Sequence, residues 1–386
     1  MQGNIFLKLN PKARENFFYI NTMKHPIRKM KEITELKSIY KKTKIDFGDF
    51  TNNRKDIYNT LKKIILKTSD GFEFAKELYK SNIKIEKKSI IKDNKIILIC
   101  LVKNDLRRIK EFYEHYKKIG VENFVFIDNN SDDGTFEFLF NLEDVTIFRI
   151  EEKYSTIRRQ AWISKVINYF GFNKWYIVVD SDEFLVYNDC ETKNIEKLIE
   201  KIDKQKRTRA LMIDMYADKK ILDDENSDRK IEEEYVYFDA NTYHKGKHKC
   251  FDLIQGGVRE RIFGKYDNIS PFLIKYPIFF YEKGDMQYNS HFSFPFYKNF
   301  NIEINTCLLH YKFLPEDLEK IKIRAKEKNY AMGSKEYNAY LKAYIENPKL
   351  NFKYDKSEMY KNSRDLEKIK LIDFIDWSNE KNGWKK

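Results

Sequence analysis

The sequence predicts an α/β chain with a mostly parallel sheet flanked by helices and helical extensions at both ends. Three observations predict it. Apolar, β-branched runs of strand length recur between Lys95 and Tyr216. Charged amphipathic stretches of about 10–15 residues separate them, which is the βαβ pattern of a parallel sheet. The chain before Lys95 and after Pro315 shows no such runs and reads as charged helix. The expected division is residues 1–92 as a basic helical region, 93–315 as the central α/β unit and 316–386 as a helical extension.

Taken in order, KHPIRKMKEITELKSIYKKTK (residues 24–44) spaces Ile27, Met30, Ile33, Leu36, Ile39 and Tyr40 by threes and fours. That pattern makes one helical face apolar and the other cationic, able to dock on the body or to lie on an anionic membrane. Tyr58 to Leu66 and Phe72 to Tyr79 are further helices. KIILICLVKND (residues 95–105) opens with a continuous apolar run, as a buried parallel strand does. RRIKEFYEHYKKIG is the helix after it, ending at Gly120. NFVFIDNNS (residues 123–131) is the second strand, and FEFLFNL a short helix. Val145 to Arg149 form a third strand, residues 156–171 a helix, and WYIVVDSDEFL (residues 175–185) a fourth strand. ALMIDMY (residues 210–216) is a fifth. Residues 235–312 read as loop-rich.

The 386 residues suffice for a real core without disulfides. With 42% hydrophobic, 34% charged and 16% aromatic residues, the chain is neither disordered nor fibrous. The 4 cysteines are far apart and form no CxxC, in keeping with a reducing compartment. No apolar run reaches about 18 residues and the N-terminus has no secretory h-region, so a cytoplasmic protein is expected. Of the net charge of +13, residues 1–95 carry +12, from 23 basic and 11 acidic residues. A basic segment of this kind favours anionic partners: lipid headgroups, nucleic acid or phosphorylated substrates.

The strongest chemical signal is Asp180-Ser181-Asp182-Glu183 after WYIVV. Carboxylates at the end of an apolar strand are costly unless they bind something. Two aspartates one residue apart can approach one hard divalent cation, which can bridge a diphosphate. The second strand ends in Asp128-Asn129-Asn130-Ser131-Asp132-Asp133-Gly134-Thr135, where a carboxylate can accept hydrogen bonds from a base or ribose.

LICLVKND, FIDNNSDDGT, the Arg158/Arg159 helix and VVDSDEF together resemble a GT-A fold glycosyltransferase of the family-2 type. Further on, GGVRERIFG, IKYPIFFY, the isolated Ser290-His291 and LLHYKFL resemble the branch whose catalytic domain ends in His-Tyr/Phe-Lys/Arg. The resemblance covers roughly residues 95–315. It implies that Asp128, with Val102 and Asn104, contacts the nucleoside. It implies that Asp180, Asp182 and His310 hold Mn²⁺ or Mg²⁺ on the diphosphate of a nucleotide sugar. Ser181, Arg158, Arg259, Arg261, Lys275 and Lys312 are donor-side candidates, the cations to offset charge on the leaving group. His291 is the acceptor-side candidate. An inverting transfer also needs a carboxylate base; Asp252 and Glu260 are the candidates, with Asp239 behind them.

Three other readings fit parts of the sequence. His244, His248 and Cys250 are spaced like zinc ligands, but lysines surround them and no fourth ligand is near. A nucleic-acid-binding protein fits the basic N-terminus but lacks a reading module. A carboxylate-based hydrolase fits the acids, although paired aspartates suit a shared metal better. The expectation is a metal-dependent, inverting transferase using a UDP-linked donor. Its acceptor would be a bacterial surface glycan or lipid-linked chain at the inner membrane face, with no nucleic acid involved.

Overall fold

The computed structural model of the chain describes residues 25–43, 53–221, 229–246, 253–327 and 330–378, together with Asn10, Lys12 and Asp223. Strands run in chain order as β1 (Lys84–Lys87), β2 (Ile97–Val102), β3 (Asn123–Asp128), β4 (Val145–Arg149), β5 (Lys174–Asp180), β6 (Glu183–Val186) and β7 (Arg209–Asp214). They continue as β8 (Tyr237–Asp239), β9 (His244–Lys245), β10 (Ile254–Gln255), β11 (Ile274–Lys275), β12 (Ile278–Tyr281), β13 (Ile304–His310) and β14 (Ser357–Met359).

The main sheet has the order β1-β4-β3-β2-β5-β12. Its four central strands are parallel, and β1 and β12 close the edges antiparallel. Continuous apolar runs suit β2 and β3 because both sheet faces are covered. Leu98, Cys100, Phe124 and Phe126 face helix Leu106–Lys118 through Phe112 and Tyr116. Ile97, Ile99, Val125 and Ile127 face helix Thr156–Phe170 through Trp162, Ile163 and Val166. The period-2 alternation thus divides one strand between two cores.

A second sheet, β11-β7-β13-β6, stands beside the first. Here the structure departs from the expected fourth strand over 175–185. The segment breaks at Ser181-Asp182, so β5 ends in the first sheet and β6 starts in the second. A carboxylate-rich turn cannot continue as buried strand, and β6 leaves to pair antiparallel with β13. The region expected to be loop-rich also contains β13, one of the two inner strands of the second sheet, parallel to β7. Its polar Asn305, Thr306 and His310 obscured the strand pattern.

The terminal segments are joined to this frame. β1 lies in the main sheet, so residues 1–92 are not helical throughout. The helix Pro26–Lys42 packs rather than floats. Leu36, Ile33, Ile39 and Tyr40 join a cluster with Ile57, Leu61, Ile64 and Ile65 of helix Arg54–Lys67 and Phe74 and Leu78 of helix Gly71–Lys80. Ile27 and Met30 stay 75% and 62% exposed, so only that end of the expected apolar face is open. The same cluster takes in Phe294 and Phe296 from the second half of the chain. After Pro315, helices Asp317–Glu327, Ala331–Glu346 and Ser363–Lys368 follow as expected, but β14 adds to β8 by antiparallel pairing. Cys100, Cys190 and Cys307 are buried free thiols; Cys250 lies outside the described residues. Among the described residues no helix is long and apolar enough to cross a membrane.

Phe74 is fully packed in this shared cluster. Phe74→Ala is expected to cost about 3–5 kcal/mol. Its melting curve should keep one transition at lower temperature. A second, early transition with the main one unmoved would show that the N-terminal helices melt alone.

Candidate active site

Register builds the site. The last residue of β13, His310, pairs with Glu183 at the start of β6 and with Asp214 at the end of β7. The main sheet aligns Val102 with Asp128, and Leu101 with Asp180. The turn from Asp180 to Glu183 therefore sits where the strand ends of both sheets meet, the edge at which α/β sheets bind ligands.

His310 is the pivot. Its Nε2 lies 3.3 Å from Asp182 Oδ2 and its Nδ1 2.5 Å from Asp214 Oδ1. Burial alone would lower its pKa, but Asp182 and Asp214 raise it above the ordinary value of 6.5. Asp214 also accepts from Arg259 Nε at 2.8 Å. Burial opposes its ionisation, yet Arg259 and His310 outweigh burial and hold its pKa at about 2. Arg259 reaches Asp214 because GGVRER turns sharply before helix Gly257–Phe263. Gly256 has φ +112°, and a Cβ there would stand 2.1 Å from the Thr242 carbonyl oxygen.

Asp180 is held differently. Arg159, from the first turn of helix Thr156–Phe170, pairs with its Oδ1, and Lys275 Nζ lies 3.1 Å from Oδ2. Lys275 also pairs with Glu183, whose other oxygen accepts the Asp180 N–H at 3.1 Å. Burial raises the pKa of Glu183 despite Lys275; Asp180 is lowered against burial by Arg159 and Lys275. Side-chain exposures of 32% at Asp180 and 25% at Asp182 leave both open to a ligand, whereas Glu183 is 2% exposed.

The group with metal-ligand spacing among the described residues is Asp182, Glu183 and His310, whose ligand atoms all lie within 4.8 Å of one another. Two carboxylates and an imidazole suit Mn²⁺, and also Mg²⁺. The trio expected from sequence had Asp180 in place of Glu183. Lys275 pairs with both Asp180 and Glu183; the difference is register, which sets Glu183, and not Asp180, opposite His310.

The other expected residues fall into two sets. Lys275, Arg259 and Lys312 border the site. Lys312 Nζ is 3.9 Å from Glu336, which also binds Arg259 Nη1 at 3.2 Å. His291 belongs nearby: its Nδ1–H donates to the Ile274 carbonyl at 2.8 Å, leaving Nε2 as an acceptor. Burial, with Lys275, lowers its pKa to about 4, so the ring is neutral at pH 7. At the ends of β2 and β3, Asp128 is buried and accepts the Ser131 N–H at 3.2 Å. Val102 accepts the Asn129 N–H at 2.9 Å, and Asn104 (φ 50°) is tied to Asp132 by two hydrogen bonds.

Several residues point elsewhere. Arg158 pairs with Glu77 of the N-terminal helices at 3.2 Å, whereas its neighbour Arg159 enters the site. Successive helical residues lie about 100° apart, so only one can. Arg261 binds Asp239 through both oxygens, at 2.7 and 2.9 Å. Glu260 is engaged by His244 Nε2 at 2.8 Å and by the Ser270 hydroxyl. Ser181 donates to Asp105 Oδ2 at 2.5 Å. Asp252, His248 and Cys250 lie outside the described residues. Glu183 stood in the acidic strand-end motif but was given no ligand role. Asp214 and Glu336 carried no motif signal; the only hint for Asp214 was its place at the end of an apolar strand.

The family model for glycosyltransferase family 92 matches residues 99–369, well over half of the chain. The chain therefore belongs to glycosyltransferase family 92 and is a glycosyltransferase, which sets aside the nucleic-acid and hydrolase readings. The match takes in most of the segment after residue 315. No curated protein matches the chain significantly.

His310→Gln should remove an ion-paired imidazolium. A raised pKa adds stability that is fully present below pH 6.5 and lost as pH rises through the folded-state value. Urea unfolding without metal should show wild type ahead of the variant most clearly in mildly acid buffer, with the gap closing on the alkaline side. A gap that widens with pH would show the ring to be neutral.

Proposed function

We propose that this family 92 glycosyltransferase uses a nucleotide-sugar donor, UDP-linked, and a divalent cation, Mn²⁺ or Mg²⁺, held by Asp182, Glu183 and His310. The observation that carries the reading is the convergence of those three side chains at the seam of the two sheets. A cation bound there would supply positive charge to the departing diphosphate. Asp214 holds the far side of His310, which presents Nε2 towards Asp182. Arg159 and Lys275, now paired to Asp180 and Glu183, are placed to share charge with the leaving phosphate. The buried end of β3, with Asp128 and the main chain of Val102 and Asn104, is assigned to the nucleoside.

For the acceptor side, neutral His291 with Nε2 as acceptor is suited to receive a sugar hydroxyl. The acceptor we propose is a bacterial surface glycan or lipid-linked chain, approached from the cytoplasm at an anionic membrane face. The basic N-terminal quarter supports that setting. Transfer with inversion needs a proton acceptor. Asp252 is assigned that part, since Glu260 is engaged with His244 and Ser270.

One observation favours a second reading. Asp180 is already neutralised by Arg159 and Lys275, and under this reading the same cations carry the leaving-group charge with no metal. Two measurements separate these. Under the metal reading, EDTA abolishes sugar transfer and Mn²⁺ restores it; undiminished turnover in EDTA would leave the cations as the carriers. Under the same reading, UDP raises the melting temperature far more with Mn²⁺ than without. Asp182→Ala should erase the Mn²⁺-dependent part and lower kcat on the order of 100-fold or more.

A further inference from the structure

Arg108 lies outside the ligand group, yet its side chain is only 4% exposed, an expensive place for a guanidinium. Its partners explain why it is there. Nη1 lies 2.8 Å from Asp105 Oδ1 and 3.0 Å from Asp317 Oδ1, Nη2 pairs with Asp317 Oδ2, and Nε donates to the Tyr311 carbonyl at 2.8 Å. Asp105 Oδ2 in turn accepts the Ser181 hydroxyl at 2.5 Å. The Tyr311 N–H donates to the Asp182 carbonyl at 2.8 Å.

These bonds close a ring: Arg108 to Asp105, Asp105 to Ser181, along the chain to Asp182, Asp182 to Tyr311, and Tyr311 back to Arg108. Ser181 and Asp182 belong to the turn between the sheets, and Tyr311 follows His310. The ring therefore holds the two chain segments that carry Asp182 and His310 at a set separation. A planar guanidinium with fixed donor directions suits this better than an ammonium. Asp317 adds the first turn of the helix that follows the second sheet, and Lys320 Nζ from the same helix lies 3.1 Å from Asp105.

We propose that Arg108, clamped by Asp105 and Asp317, is a positioning residue that sets the spacing between Asp182 and His310. Ser181 acts in the same ring as its link to the turn. The proposal builds on the metal reading given above, and it makes the segment after residue 315 part of the working site. Ser181→Ala removes one hydroxyl at the surface of the turn and leaves the core intact. Asp317→Asn leaves Arg108 with one full carboxylate.

The test titrates Mn²⁺ alone into the full chain, following free Mn²⁺ by electron paramagnetic resonance. Each substitution should weaken binding about 10- to 100-fold. The double variant should lose less than the product of the single losses, because one substitution cuts the ring and the other loosens the clamp that holds Arg108 in it. Unchanged affinity in both single variants, with wild type binding normally, overturns the proposal. A second readout needs no metal: the imidazole resonances of His310 in the metal-free chain. If wild type binds no Mn²⁺, the metal reading falls by itself and this readout decides. Resonances moved by Ser181→Ala support the ring; resonances that stay in place overturn it.

Discussion

Where the two sheets meet, the chain crowds carboxylates and cations into a space with little water, and everything else in the molecule accommodates that crowding. Asp180 faces Arg159 and Lys275; Glu183 faces Lys275; Asp214 faces Arg259 and His310; Glu336 faces Arg259. Unpaired, any of these buried charges would cost several kcal/mol. Paired, they form an electrostatically balanced surface around the exposed edges of Asp180 and Asp182. A balanced site of this kind does not repel an anionic donor, as bare aspartates would.

The turn between β5 and β6 creates the arrangement. A strand that continued straight would have left Glu183 in the main sheet, far from His310. By changing sheets, the chain puts three ligand-type side chains from two strands and a turn within reach of one another. β13 completes the design as an inner strand: parallel to β7 and antiparallel to β6, it lines up Asp214, His310 and Glu183 in one row. Any chemistry that uses these side chains together depends on that register more than on any one residue.

The terminal segments also shape the centre. Helix Gly71–Lys80 packs against helix Thr156–Phe170, which carries Arg159, and Phe74 shares a cluster with Ala161. On the other side, Glu336 bridges Arg259 and Lys312. Tyr330 stacks on Tyr154 with centroids 4.9 Å apart. The family match beyond residue 315 has this physical counterpart: the later helices supply a carboxylate and ring contacts that the central α/β unit lacks.

Much of this was legible in the residues themselves. Apolar runs alternating with amphipathic stretches gave the central parallel strands and their helices, because periodicity reflects burial directly. The acidic strand end at Asp180-Ser181-Asp182 marked where the carboxylates gather, since carboxylates after a buried strand need a partner, and His310, named through a short motif of the resemblance, lies beside Asp182. Other features lay beyond one-dimensional reading. Which of Arg158 and Arg159 faces inward depends on helix phase against the sheet. Whether Asp180 or Glu183 joins His310 depends on a change of sheet within two residues. The expected apolar face of helix Pro26–Lys42 is consumed by packing, which only its neighbours reveal. Composition and spacing determined the fold class and where the acids cluster. Pairing register decided which acids stand beside His310, because it brings together residues more than a hundred positions apart in the chain.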